Sequence, residues 1–279
     1  MLTKLKSIRW KLVWFVFLGV SSLVGLVFLM SLVNKKDANQ LCSAMKVNIM
    51  GKEAFIDQKD ISDLIIKNYG SVVGRSVNSL PLQKIEKSLL SLPYVFDAEV
   101  YADMDGVIQV TIQQREAILR IINSMGKEYY IDATGVKIPV TLRYVPHVLV
   151  ANGNISEGYG RALEQVKTPL VKDLVKIVKE VKDDPLWSNQ IVQLYVNQDK
   201  DIEIVPRVGN QQLILGTADS LDHKLQRLQV FYTNILPKVG DEAYEKVNVK
   251  YSGQIICERK GEWFLDSLQL KINKSLAIH

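Results

Sequence analysis

Hydrophobic positions are distributed along this chain in two ways. From Leu12 to Val33 they run for 22 residues with no charged side chain among them. As a helix rising ~1.5 Å per residue the run reaches ~33 Å, enough for one crossing of a hydrocarbon layer ~30 Å thick. Trp14, Phe15, Phe17 and Phe28 leave it no polar face, unlike a core helix. A cleaved signal peptide has a shorter apolar region, ~7–15 residues, closed by a small-x-small site. The exit sequence SLVNKKDANQ offers no such site. The pattern predicts a retained transmembrane helix over 12–33.

Beyond residue 34 the apolar positions become periodic. Alternation over Met45–Met50 predicts a strand. Asp57 and Asp60, followed by Ile61, Leu64 and Ile65, predict a capped helix that closes at Tyr69-Gly70. Ser79 and Pro81 open a second helix with Ile85, Leu89, Leu90 and Leu92 on its apolar face, and Pro93 stops it. Val95–Ala102 and Val107–Ile112 are strands joined at the Asp105-Gly106 turn. Ile118–Ile122 and Tyr129–Ile131 follow as strands, with Asp132-Ala133-Thr134-Gly135 as a turn between strands. Val145–Val150 reads as a further strand and 151–160 as a loop. Thr168-Pro169 opens a helix that ends at Asp184-Pro185. Ile191–Val196, Ile202–Val205 and Gln212–Leu215 are strands. A helix carrying Leu221, Leu225, Leu228, Phe231 and Ile235 comes next, and Val247–Tyr251 and Gln254–Cys257 are the last two strands. The fold class is α+β, with no repeating βα unit.

Charge orients the apolar run. The tail, residues 1–11, carries Lys4, Lys6, Arg9 and Lys11 and no acid, whereas only Lys35 and Lys36 flank the far end. The more basic side stays in the cytoplasm, so the tail is cytoplasmic and the bulk of the chain is exported. The same four charges account for most of the net +5. Without them, 31 basic residues face 30 acidic ones, and a nucleic-acid partner loses its main support. Cys42 and Cys257 are the two cysteines; they could pair in an oxidising compartment, but two separate, largely buried thiols are the simpler expectation. Asn154-Ile155-Ser156 and Asn273-Lys274-Ser275 matter only where a host glycosylates exported chains.

Candidate chemistry is sparse. Ser43–Lys46 and Ser124–Lys127 each form Ser-x-x-Lys, but the companions Ser-Asp-Asn and Lys-Thr-Gly are absent from the sequence. His147, placed in a strand, His223, opening a helix, and His279 lie in no metal-ligand spacing with one another or with the cysteines. No phosphate-binding or dinucleotide fingerprint occurs. Asp132 beside Gly135 reads as a turn aspartate rather than a catalytic acid. The sequence predicts no catalytic set, cofactor, metal or small-molecule substrate.

The order of elements and four stretches together resemble the FtsQ/DivIB family of bacterial cell-division proteins. The first is Val47-Asn48-Ile49 with Gly51, ahead of two helices and two strands. The second is Pro93-Tyr94-Val95-Phe96-Asp97-Ala98-Glu99-Val100, leading to Gly106-Val107-Ile108-Gln109-Val110 and Gln114-Arg115-Glu116-Ala117. The third is Tyr130-Ile131-Asp132-Ala133-Thr134-Gly135. The last pairs Leu213-Ile214-Leu215-Gly216 with Val247-Asn248-Val249-Lys250-Tyr251. Gln114, Ala117, Asn248 and Lys250 stand where the family usually has Glu, Pro, Asp and Arg.

The resemblance implies a cytoplasmic tail (1–11), a transmembrane helix (12–33), a linker (34–44), a POTRA domain of β-α-α-β-β order (45–115), a mixed β domain with helices (116–260) and a C-terminal tail (261–279). It implies a non-enzymatic, single-pass scaffold of the divisome in the bacterial inner membrane, acting in septum formation. Its partners would be FtsB/FtsL-type single-pass coiled-coil proteins and other divisome components. Carried over by position, the partner-binding segment is Tyr251, Ser252, Gly253, Gln254, Ile255, Ile256, Cys257, Glu258 and Arg259, with Trp263 beyond it and Tyr251 its best single anchor. Strand addition at a sheet edge is the expected mode. The competing functions are a POTRA-bearing membrane-protein assembly or translocation factor and a membrane-anchored cell-wall enzyme. The first needs a long barrel after the POTRA units.

Overall fold

The computed structural model describes residues 10–38, 40–240 and 243–261, with side chains in the first helix described for 14–28. That helix, α1, spans Trp10–Ala38. Its described side chains are exposed on every side, Trp14 at 67%, Phe15 at 76% and Phe17 at 71% among them. Among the described residues no helix is long and apolar enough to cross a membrane. The 12–33 expectation reaches past the described side chains at both ends.

The chain divides into two compact units. One is built on residues up to Ile49, Asp57–Leu89 and Ala98–Ile112, the other on Met50–Ile56, Leu90–Asp97 and Gln113 onward. Most of β1 (Ala44–Met50), α2 (Gln58–Tyr69), α3 (Leu82–Leu90), β2 (Val95–Ala102) and β3 (Val107–Gln114) belongs to the smaller unit, with strand order β1-β3-β2; the ends of β1, α3 and β3 and the start of β2 belong to the larger one. Asp57 caps α2 reciprocally: its carboxylate accepts from the Asp60 N–H at 2.8 Å, and Asp60 accepts from the Asp57 N–H at 2.9 Å. Ile61 and Ile65 of α2 and Ile85 and Leu89 of α3 are buried, as are Ile108, Val110 and Ile112 of β3. The sequence periodicity predicts these core positions.

The larger unit is a nine-stranded mixed sheet. Its strands are β4 (Ala117–Ile122), β5 (Glu128–Asp132), β6 (Lys137–Pro139), β7 (Leu149–Gly153), β8 (Ile191–Val196), β9 (Ile202–Pro206), β10 (Gln212–Gly216), β11 (Tyr244–Asn248) and β12 (Ile256–Arg259). Their spatial order is β12-β11-β10-β9-β8-β7-β4-β5-β6. Helices α4 (Pro169–Lys182) and α6 (Leu221–Val230) lead from β7 to β8 and from β10 to β11, and both pairs are parallel. The short α5 (Trp187–Gln190) precedes β8. Two βαβ crossovers are thus embedded in the α+β sheet. One face carries Leu194, Ile204, Leu213 and Val247 in register, packed with Leu174 and Ile177 of α4 and Leu225 and Leu228 of α6. The opposite face carries the row Tyr195, Glu203, Ile214, Asn248 and Ile256.

Three expectations are corrected. The strand placed at Val145–Val150 runs instead over Leu149–Gly153, four residues later, and takes up part of the expected loop; His147 precedes it. β11 and β12 begin three and two residues away from Val247–Tyr251 and Gln254–Cys257. The last long helix is not uniform: α6 passes into a wide π-type turn, Phe231–Ile235, before Leu236–Val239.

Two stretches of the family resemblance meet inside the larger unit. Arg115 Nη1 lies 2.6 Å from Asp132 Oδ2, both side chains buried, and the Arg115 guanidinium covers the Phe96 ring at 5.6 Å. Asp132 also accepts from the Thr134 and Val136 N–H groups at 2.8 and 2.9 Å. It is a turn aspartate, and it is equally the counter-ion of Arg115.

Candidate interaction site at the last strand

A nine-stranded open sheet has two edges, and these two differ. β6 is three residues long and ends in Pro139, which has no N–H to donate. Its outer side is already engaged by the chain: the Lys137 N–H donates to the Glu164 carbonyl at 2.8 Å, and the Val166 N–H to the Gly135 carbonyl at 2.9 Å. That covering segment is fastened by a buried charge cluster. Lys137 Nζ, 1% exposed, meets Glu157 at 2.9 Å and Glu164 at 3.3 Å and donates to the Gly158 carbonyl at 2.7 Å. Burial would raise the Glu157 carboxyl, but hydrogen bonds from the Thr168 hydroxyl and Lys137 hold it below its ordinary value. Glu164 is drawn down to about 2, first by Lys167, then by the Gly160 N–H and Lys137.

β12 is the other edge. It pairs with β11 on one side, antiparallel, with Asn248 opposite Ile256, Val247 opposite Cys257 and Lys246 opposite Glu258. Among the described residues no strand lies on its outer side. An edge of this kind presents backbone donors and acceptors to an incoming chain.

The sequence-expected site residues split between a turn and this strand. Tyr251, Ser252, Gly253 and Gln254 lie in the turn before β12 and are exposed, Tyr251 at 49%. Ile255 and Cys257 are half-buried and pack on the sheet core, whereas Ile256 and Glu258 face out. Arg259 is exposed at the strand end. Glu258 pairs with Lys246 across the strands at 3.1 Å. Trp263 lies outside the described residues. Cys42 is buried, Cys257 half-buried, and both are free thiols; burial pushes the Cys257 thiol above its usual range.

The turn is rigidly supported. Asn248 Oδ1 accepts from the Lys250 N–H at 2.9 Å, so asparagine supplies the acceptor here. The Val249 N–H donates to the Ile214 carbonyl at 3.0 Å, and Arg227 Nη2 to the Val249 carbonyl at 2.7 Å. Lys250 Nζ meets Asp201 at 2.8 Å, which raises the lysine above its ordinary value. Its stem crosses Gly216, where a Cβ would stand 2.8 Å from the Lys250 Cγ and where φ is +77°. The leucine–glycine stretch that ends β10 and the lysine–tyrosine stretch after β11 are thereby parts of one structure.

Beside the turn runs a groove of about 740 Å³ lined by His223, Lys224, Arg227, Lys250 and Tyr251, with Asp219 at its end. Lys224 is 5% exposed and donates to the Thr217 carbonyl at 2.8 Å; burial pulls its ammonium below the usual lysine range. Arg227 Nε is buried without a partner. Sequence reasoning missed this basic wall. Lys224 and Arg227 are three apart on α6, a spacing that puts them on one helix face, but only the fold sets that face beside Tyr251.

Ser43 Oγ donates to the Asp105 carbonyl at 3.3 Å. Among the described residues no group of three or more His, Cys, Asp or Glu side chains could hold a metal ion. Among the described residues the nine-stranded sheet is open, with two edges.

Residues 116–258 match the family model described as FtsQ/DivIB, C-terminal related, and residues 40–113 match that of a POTRA-like domain. No curated protein matches the chain.

Proposed function

The chain belongs to the FtsQ/DivIB family, whose role is that of a non-enzymatic cell-division scaffold, and from that premise we propose that it is anchored in the bacterial inner membrane and captures FtsB/FtsL-type partners by accepting a strand on β12. The observation that carries the proposal is the contrast between the two sheet edges. β6 is shortened, ends in proline and is covered by residues 164–166, while among the described residues no strand lies outside β12, which stands beside an exposed tyrosine. An edge left open in a sheet whose other edge is closed is suited to strand addition.

The flanking chemistry describes the partner. Core-facing Ile255 and Cys257 favour apolar residues on one face of an added strand. Outward Ile256 favours a β-branched or aromatic neighbour. The wall of Lys224, Arg227 and Lys250 beyond Tyr251 favours acidic residues in the chain that leads into or out of that strand. Membrane anchoring draws its support from the 22-residue uncharged run and from the exposed apolar side chains of residues 14–28, among which none is charged. The basic tail supports a cytoplasmic N-terminus and an exported bulk.

Cys257→Pro tests the proposal: the Val249 N–H bond to Ile214 turns the backbone groups of Asn248 and Ile256 toward each other, so the outward donor of the edge strand is that of Cys257. Co-purification of FtsB/FtsL-type proteins with the full-length variant should be lost while its circular dichroism stays unchanged, and Cys257→Ala, which keeps the N–H, should retain capture. Normal capture by a folded Cys257→Pro protein would refute strand addition.

A further inference from the structure

The N-terminal ends of the parallel strands β4, β7 and β8 and the last turn of α4 frame a second groove, within the larger unit, of about 430 Å³. At ~4.8 Å per strand it lies roughly 20–30 Å along the sheet from β12. Its floor is apolar, formed by Ile118, Leu149, Val178, Val181, Ile191 and Val192. Four charged side chains line it: Glu53, Glu116, Lys182 and Arg207.

Three of these are committed. Lys182 Nζ pairs with Glu116 at 2.9 Å, which holds the Glu116 carboxyl below its ordinary value. Arg207 Nε donates to the Asn189 carbonyl at 2.8 Å. Glu53 is different. Its backbone carbonyl accepts from Gln114 Nε2 at 2.8 Å, and the neighbouring Phe55 is buried between Tyr94 and Tyr144. The Tyr144 hydroxyl bonds its carboxylate, which raises the tyrosine above its usual range. The remaining oxygen, Oε2, is buried and has no hydrogen-bond partner. A carboxylate fixed in place with one desolvated, unanswered oxygen is costly unless a donor arrives.

We propose that this groove receives a lysine or arginine side chain of a partner polypeptide. The aliphatic stem lies on the apolar floor, and the cationic head donates to Glu53 Oε2. The site is separate from β12 and does not depend on strand addition there.

The test uses the full chain in lipid nanodiscs, labelled with 3-fluorotyrosine, with the Tyr144 resonance assigned through Tyr144→Phe. The probes are acetylated, amidated tripeptides of two valines flanking lysine, arginine or norleucine, at matched ionic strength, with butylammonium as the free amine. The lysine and arginine peptides should shift the Tyr144 signal saturably, and the norleucine peptide should bind at least about ten-fold more weakly. Glu53→Gln should abolish the difference; Glu116→Gln and Cys257→Pro should preserve it. Equal binding of the norleucine peptide, an unchanged response in Glu53→Gln, or no saturable shift would overturn the cation site. Butylammonium binding as tightly as the peptides would overturn the polypeptide assignment.

Discussion

At the residue scale, single side chains explain why this chain departs from its family's usual letters without losing the geometry. Asn248 accepts the Lys250 N–H through its amide oxygen, a role for which a carboxylate is not required. Lys250 reaches Asp201 with one ammonium where an arginine would offer a fork. Gly216 makes room for the lysine stem. Gly216→Ala combines an unfavourable φ with a contact that must shift, so it should cost about 1–3 kcal/mol in chemical denaturation and weaken partner capture. Lys137→Met should be more damaging. It takes the buried cation away from Glu157, while Glu164 keeps Lys167 and the Gly160 N–H, and breaking such a buried pair costs about 3–5 kcal/mol; urea unfolding of the variant measures it. Apart from the local Asn248–Lys250 contact, these partners were not legible in the sequence, because each pair is brought together by the fold and not by local spacing.

At the scale of elements, legibility followed the source of order. β2 and β8 match their expected bounds, since local alternation and turn residues define them. β7 does not. Pro146 delays the strand, and Asn152-Gly153 then continues it against propensity because β8 continues to pair, with Tyr195 opposite Asn152 and Val196 opposite Gly153. Gly153 is there for closeness: a Cβ would meet the Val196 carbonyl oxygen at 2.2 Å. In the final hairpin, Val249 extends the alternating pattern past Asn248, but its N–H goes to Ile214 and the asparagine side chain turns the chain. The site segment is therefore a turn followed by a strand. Glu258 lies on the exposed face, and its pair with Lys246 is solvent-screened and adds little to stability. Glu258→Lys should accordingly leave the melting temperature nearly unchanged and still impair co-purification of partners, separating recognition from stability.

For the whole molecule, the two units carry different kinds of information. Family likeness and fold class were readable because topology and element order survive substitution, and the last strand followed from the likeness; the closure of the other edge was not readable, since β6 is covered by residues nearly thirty positions downstream. The same closure predicts a pH dependence. Glu157 and Glu164 titrate lower in the folded chain than unfolded, so their contribution is complete above the ordinary carboxylate range. It is lost as pH falls through the folded values, toward about 2 for Glu164. Thermal melts should show stability declining over that acid window, with a shallower decline in Glu164→Gln.

The most direct test of partner capture by strand addition is amide hydrogen exchange on the full-length protein in nanodiscs, with and without FtsB/FtsL-type partners. Partner binding should slow exchange at Ile255–Arg259 and leave Lys137–Ile138 unchanged. Bound partners with no added protection along β12 would contradict it.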